Sequence, residues 1–339
     1  MGIDNCSIAD LRMGKISSNI LINKNQMTFP ISLRARFDRN GWLFFFLAAY
    51  CVIAYAGLKT YIRPFSVNCI LGIVALFSAA TVKVTGKRTL RFLWPALIFA
   101  VLYIFIPAKT LLFASLVMAG FFALETFVGR TNYLAIFCLI LMSPIVEYAA
   151  NIFSFPVRLF LTSAAGEIMQ IIDPGTHIEG NMIINGLSEF SVDPACMGLY
   201  MLVTSFLAGI ILIGIIQQKQ NKIISIWGFF ICMGLIFLLN IISNLFRIIF
   251  LVYYNIVPGS LMHEITGIVC FLMYVIVPAA YLIKYYVGRF GKVVNATAPL
   301  STEKPRSIHL LHNFFLLGMV CMVVVYGRDM SANDRRPVK

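Results

Sequence analysis

Charge is scarce in this chain. Asp, Glu, Lys and Arg make up 12% of its 339 residues, about half the share of a typical soluble domain. The longest polar segments are 1–40, 173–195 and 284–308, and none reads as an independent soluble domain. No C-x-x-C pair occurs among Cys6, Cys51, Cys69, Cys138, Cys196, Cys232, Cys270 and Cys321, so no zinc or redox motif is indicated. Most of these thiols lie inside apolar runs, where a cysteine is a small hydrophobe; Cys196 stands out with polar neighbours. No small-residue cleavage site follows Leu58, and residues 1–40 are too polar for a cleaved leader, so the first apolar run is expected to stay. Internal repeats and low-complexity segments are also missing.

What the chain has instead is apolar length. Hydrophobic residues make up 60% of it, and the mean hydropathy is +0.87. The apolar runs are 42–58, 64–82, 90–106, 111–128, 133–150, 152–172, 196–216, 223–252, 261–284 and 310–326. A membrane span needs about 20 residues, and most runs qualify. Run 223–252 is long enough to tilt or to extend beyond the bilayer. Run 152–172 carries Pro156, Arg158, Glu167 and Gln170 and reads as an amphipathic helix lying in the interface or re-entering.

A net charge of +13 does not point to nucleic acid, because the cations sit in short loops between apolar runs. With the amino terminus inside and 152–172 not spanning, the inside segments hold the six basic residues from Arg12 to Arg39. They also hold Lys83, Lys87, Arg88, Arg91, Arg130, Lys219, Lys222, Lys284, Arg289, Lys292, Lys304 and Arg306. The outside loops hold Lys59, Arg63 and Lys109, and the carboxyl-terminal end adds four more. The positive-inside rule favours this arrangement over one in which 152–172 spans. The fold class expected is all-α: a polytopic integral membrane protein of about 8–9 transmembrane helices plus one interfacial or re-entrant helix.

In that topology three reactive residues fall at span ends on the extracytoplasmic side. Cys196 opens the run 196–216 in D-P-A-C-M-G. Asp193 is a good N-cap and Pro194 suits the first helical position, which places Cys196 at N3. Unpaired N–H groups and the positive dipole end favour a thiolate there, with an ionised Asp193 working partly against them. Arg247 lies near the outer end of 223–252. Asn240, Asn244 and Arg247 share one helix face at spacings of 4, 3 and 7, and a polar stripe in an apolar helix faces protein or water. His263 follows Pro258-Gly259-Ser260, with Ser260 as N-cap and the imidazole at N3. Glu264 either orients it or is exposed. Each residue has a bland alternative: an inert buried thiol, a snorkelling arginine, a capping histidine. Together they are a nucleophile, an anion stabiliser and a base, the parts for thiol acyl transfer.

These positions resemble the exosortase/archaeosortase family of multi-pass cysteine transpeptidases. The matching residues are A-C-M-G around Cys196 and Gly198, N-x-x-R-I from Asn244 to Ile248, and His263. The family's common A-C-S-G core has Met197 in place of Ser here, and the pattern looks most like the N-type. The resemblance covers roughly 40–285 and implies a domain order. That order is a cytoplasmic segment 1–40, a transmembrane catalytic domain 41–285, a cytoplasmic loop 286–308, and an extra span with a short extracytoplasmic tail over 309–339. It implies residence in the inner (cytoplasmic) membrane and no cofactor or metal. It also implies exported protein substrates with a C-terminal tripartite signal of short motif, transmembrane helix and basic cluster. Such a substrate would enter from membrane lipid through a lateral gate.

Three other readings compete. His263-Glu264 begins an H-E-x-x-H metalloprotease motif, but position 267 is Gly, so the second ligand is missing. A transporter could use Glu125, Glu147, Asn240 and Asn244 to line a path. A catalytically inactive scaffold would retain the fold alone. The loop 173–195 is expected to cover the site or to dock the sorting motif.

Overall fold

The computed structural model describes residues 26–28, 41–61, 65–79, 81–83, 89–185, 188–192, 199–257, 259–293 and 307–333. Asp193, Cys196 and Gly198, and with them the expected helix start at Asp193-Pro194, lie outside these described residues.

The chain is an all-α polytopic membrane protein. Its helices are α1 (Gly41–Leu58), α2 (Val67–Ala79), α3 (Leu93–Phe105), α4 (Lys109–Phe127), α5 (Tyr133–Met142), α6 (Ile145–Ile152), α7 (Ser154–Ile172), α8 (Leu199–Gln220), α9 (Ile226–Tyr253), α10 (Leu261–Phe271), α11 (Val277–Phe290) and α12 (Ser307–Asn333). A π-helical turn, Leu272–Ile276, joins α10 to α11. Pro278, in the following turn, has no N–H for the normal ladder. Among the described residues, six segments are long and apolar enough to cross a membrane: α1, α4, α8, α9, the continuous α10–α11 rod and α12. Shorter apolar helices are α2, α3 and α5. With 13 residues each, α2 and α3 rise about 20 Å, less than the ~30 Å hydrocarbon core. The 28 residues of α9 rise about 42 Å, so the expected overlength of that run is present.

Among the described residues, strands occur in short pieces near the ends of the helices. They are β1 (Gln26–Thr28), β2 (Thr81–Lys83), β3 (Arg130–Thr131), β4 (Thr176–Glu179), β5 (Met182–Asn185), β6 (Ser188–Ser191), β7 (Lys222–Ile223) and β8 (Lys292–Val293). Open strand edges are too costly in lipid, which confines them to these positions. Three antiparallel sheets form in the orders β1-β2-β3, β4-β5-β6 and β7-β8.

The helices divide into two compact units. In one, α1, α3, α4 and α12 pack together. Phe46 stacks on Phe127 with ring centroids 5.9 Å apart and meets Phe314 edge-on at 5.0 Å. Asn313 Nδ2 donates to Thr126 Oγ1 at 3.2 Å. This unit also buries Glu125, which Arg91 grips through Nε (3.1 Å to Oε2) and through an Nη2–Oε1 ion pair. Thr89 Oγ1 donates to Oε2 at 2.8 Å, and Thr131 donates to Oε1 from its backbone N–H (2.9 Å) and its hydroxyl (3.1 Å).

The other unit holds α2, α5 to α11 and the β4-β5-β6 sheet. Its main core is formed by Ala75, Ala79, Leu207, Ile210, Ile213, Phe229, Cys232, Ile236, Ala279 and Ile283 and their neighbours. At Gly214 a Cβ would stand 2.7 Å from Ala79 Cβ, so only glycine lets α8 cross α2 this closely, a small-residue contact of the kind membrane helices use. The run 133–150, read from sequence as one piece, is two helices broken at Ser143-Pro144. Ser143 Oγ donates to Ile140 O at 2.6 Å, turning the chain where Pro144 cannot supply an N–H. The loop 173–195 contains the three-stranded meander β4-β5-β6 rather than irregular chain. Ile183, Phe190 and Val192 of that meander pack with Leu161, Ala165 and Met169 of α7 and with Ile248, Leu251 and Val252 of α9. Helix α7 is thus bound along the last two turns of α9 and is not among the helices apolar enough to cross.

Candidate active site

Arg247 lies on α9 just before the segment covered by α7 and the sheet. It is 3% exposed. Among the described residues the single ion pair is Arg91–Glu125, so the Arg247 guanidinium has no carboxylate partner there, and its Nε has no hydrogen-bond partner. Nη2 faces His263 Nε2 at 3.1 Å, and Nη1 is 4.0 Å from Met201 Sδ. Burying an uncompensated guanidinium is costly, so this one is held in place by close packing. At Gly267 a Cβ would lie 3.0 Å from Arg247 Cζ and 3.0 Å from Met201 Cε. The position that ended the metalloprotease motif is the one that gives the guanidinium room against α10.

His263 is also 3% exposed. Ser260 is the N-cap of α10, its Oγ accepting from the His263 backbone N–H at 3.2 Å, so the expected N3 placement is observed. Both ring nitrogens face a donor: Arg247 at Nε2, and the Gly259 N–H at Nδ1 across 3.2 Å. A neutral imidazole has one lone pair and one N–H. It can therefore accept from Arg247 or from Gly259, one in each tautomer, but not from both together. Glu264 is exposed on the same turn.

The stripe on α9 is real. Asn240, Ser243, Asn244 and Arg247 line one wall of a cavity of about 250 Å³, closed by Pro156, Val157, Phe160 and Leu161 of α7, Met201 and Leu202 of α8, and Gly267 and Phe271 of α10. Asn240 Nδ2 donates to Ser205 Oγ at 2.5 Å and to Ile236 O at 2.9 Å. Asn244 is buried, and its Nδ2 has no partner among the described residues. Two donors on residues of that wall, Asn244 Nδ2 and Arg247 Nε, are buried and have no partner among the described residues, and the lining is otherwise mostly apolar. That is a place for an apolar segment bearing one carbonyl oxygen.

Of the residues that sequence reading grouped, Asn240, Asn244 and Arg247 line one cavity and His263 lies against Arg247, while Cys196 lies outside the described residues. Sequence reading missed Met201, Gly267 and the α7 wall. Met201 carries no signal of its own, being one more methionine in an apolar run. Gly267 could have been noticed as a glycine facing the arginine stripe, had the approach of α10 to α9 been known. Glu125 leaves the list of path-lining residues, since its carboxylate is committed to Arg91, Thr89 and Thr131.

The family model described as transmembrane exosortase (Exosortase_EpsH) matches residues 108–280, about half of the chain and the segment that contains Cys196, Arg247 and His263. Neither a curated protein nor a solved structure matches it.

Proposed function

Because the chain belongs to the transmembrane exosortase family, a group of membrane peptidases and transpeptidases with a sorting role, we propose that it is a cysteine transpeptidase. In this reading it cleaves the C-terminal sorting signal of exported proteins on the extracytoplasmic side and passes them to an acceptor. Cys196 Sγ attacks the scissile carbonyl carbon and the carbonyl electron pair moves to oxygen. Arg247, with Asn244 beside it, binds that oxyanion. His263 takes the thiol proton and returns it to the departing amine as the C–N bond breaks, leaving a thioester. An acceptor nucleophile then releases the acyl group and restores the thiol.

The observation that carries this reading is Arg247: a buried guanidinium with no carboxylate among the described residues, against His263, on the wall of an apolar cavity. Arg91, although partly exposed, is paired with Glu125. The arrangement also constrains the proton transfer. An imidazolium beside the guanidinium costs about 4 kcal/mol for charges 4 Å apart at an effective dielectric of 20. Proton transfer to His263 is therefore favourable only while thiolate or oxyanion charge develops alongside it. In the resting site Arg247 donates to His263 Nε2; as the oxyanion forms, the guanidinium turns to it and frees that lone pair for the thiol proton.

The test is made in the native host. Wild type and Cys196→Ala are compared for the size and release of a co-encoded protein with a C-terminal helix and basic tail. Accumulation of the uncleaved, membrane-bound form in Cys196→Ala supports the proposal. Unchanged processing by a stably inserted Cys196→Ala protein refutes it.

A further inference from the structure

Met201, in the first turn of α8, sits against the guanidinium of Arg247. Its sulfur is 4.0 Å from Nη1. Its Cε and Arg247 Cζ crowd the same point, each 3.0 Å from where a Gly267 Cβ would stand. A thioether is only a weak acceptor, so this contact satisfies the guanidinium poorly. Met201 is half-buried. Besides the cavity at Arg247 it lines a second one, of about 520 Å³. Thr60, Tyr148 and Asn151 on that second lining are exposed and mark its mouth, while Asn68, Ser143 and Thr204 are less exposed. Hydroxyls and amides on a roomy wall hold water, so a small polar reagent can enter there and reach the sulfur.

We propose that Met201 is an oxidative modification site and that its sulfoxide, formed by a peroxide, switches the site off by taking up Arg247. The inference rests on the transpeptidase reading, in which Arg247 binds the oxyanion. A sulfur lone pair attacks one oxygen of hydrogen peroxide and the O–O bond breaks. The departing hydroxide takes the proton from the transferred oxygen and leaves as water. The sulfur is oxidised by two electrons and the peroxide is reduced. The product replaces an apolar thioether with a polar S–O group. With the sulfur 4.0 Å from Nη1, an oxygen bonded to it on that side lies within hydrogen-bond distance of the guanidinium. A charge-assisted bond of that kind occupies Nη1 before substrate arrives and competes with the developing oxyanion for the same donor. Methionine sulfoxide is reversed by dedicated reductases, whereas over-oxidation of a nucleophilic thiol is not generally reversible. Met142 lines the second cavity and is not on the wall that holds Arg247, which makes it an internal control.

The experiment uses the full chain in phosphatidylcholine nanodiscs, with the purified co-encoded protein as substrate. Thiols are capped with methyl methanethiosulfonate, hydrogen peroxide is applied in increasing dose, and dithiothreitol then restores the thiols and leaves sulfoxides in place. Peptide mass spectrometry gives the sulfoxide fraction at each methionine, and processing is measured in the same samples. Wild-type processing is expected to fall in proportion to the sulfoxide at Met201 and not to that at Met142. At full conversion the loss is at least about tenfold, approaching the roughly 10²–10³-fold of a lost oxyanion donor. Methionine sulfoxide reductases of both epimer specificities restore it. Met142→Leu is inactivated like the wild type, while Met201→Leu processes equally before and after peroxide, whatever its starting level. Melting is read alongside. Oxidation raises the melting temperature of the wild type, because a buried guanidinium gains a strong acceptor, and leaves that of Met201→Leu unchanged. Failure of Met201 to oxidise, full processing with Met201 oxidised, or equal inactivation of Met201→Leu overturns the proposal. If Met201→Leu does not fold, the wild-type dose series decides by itself. Absence of processing before any peroxide refutes the transpeptidase reading instead, and the melting shift then decides whether the sulfoxide engages Arg247.

Discussion

Arg91 and Arg247 are both set against apolar helices, and their surroundings are opposite. Arg91 donates to both oxygens of buried Glu125 and to Thr131 O at 2.8 Å. Glu125 in turn accepts from Thr89 and from the backbone and side chain of Thr131. Both carboxylate oxygens of Glu125 are thus hydrogen-bonded, which is how a membrane protein makes a buried charge tolerable. Arg247 is more deeply buried and has a neighbouring imidazole, a distant thioether and an Nε with no partner among the described residues. The first cluster fastens a helix end. In the proposed function the second supplies its charge to the substrate carbonyl.

This contrast predicts which mutations touch activity and which touch stability. The largest effect is expected at Arg247→Lys, which keeps the charge but loses the planar fork. Processing should fall about 10²–10³-fold, as for loss of one oxyanion donor, with the protein still inserted and its melting temperature close to wild type. Arg91→Ala should do the reverse. It strands a buried carboxylate, and thermal unfolding in detergent should show a loss of about 3 kcal/mol, near the lower end for a broken buried pair, since Thr89 and Thr131 still bond Glu125. Turnover per folded molecule should be unchanged. If Arg91→Ala abolishes turnover in molecules that remain folded, the two sites are not functionally separate.

Smaller effects sharpen the picture. Gly267→Ala places a Cβ 3.0 Å from Arg247 Cζ, so the guanidinium must shift; activity should drop about tenfold, equivalent to about 1.4 kcal/mol, with little change in melting. Ser260→Ala removes the cap at the His263 N–H and should cost about 1 kcal/mol of stability. It should also loosen His263, read as a drop in processing that Ser260→Asp restores.

Much of this site could be read from residue spacing. The Asn240, Asn244 and Arg247 stripe follows from 3.6 residues per turn, and it forms one cavity wall. Ser260 three residues before His263 is a cap signal, and its hydroxyl makes that bond. Local chemistry within one helix was enough in both cases. The break at Ser143-Pro144 was visible as a proline, yet the surrounding hydropathy hid it. The sheet in 173–195 was hidden for another reason: its core is shared with α7 and α9, and neither partner is near it in sequence.

The sequence by itself determined that the chain lives in a membrane, roughly where its helices run, and which polar residues lie on which helix face. These follow from hydropathy, cation placement and helical period, all properties of one segment at a time. Only the tertiary structure decided that Glu125 is locked by Arg91, that Gly267 yields its space to a guanidinium, and that Met201 of α8 comes up to that guanidinium. Each of these depends on which helices cross and how closely. That is set by side-chain packing between segments far apart in the chain, which no single run of residues encodes.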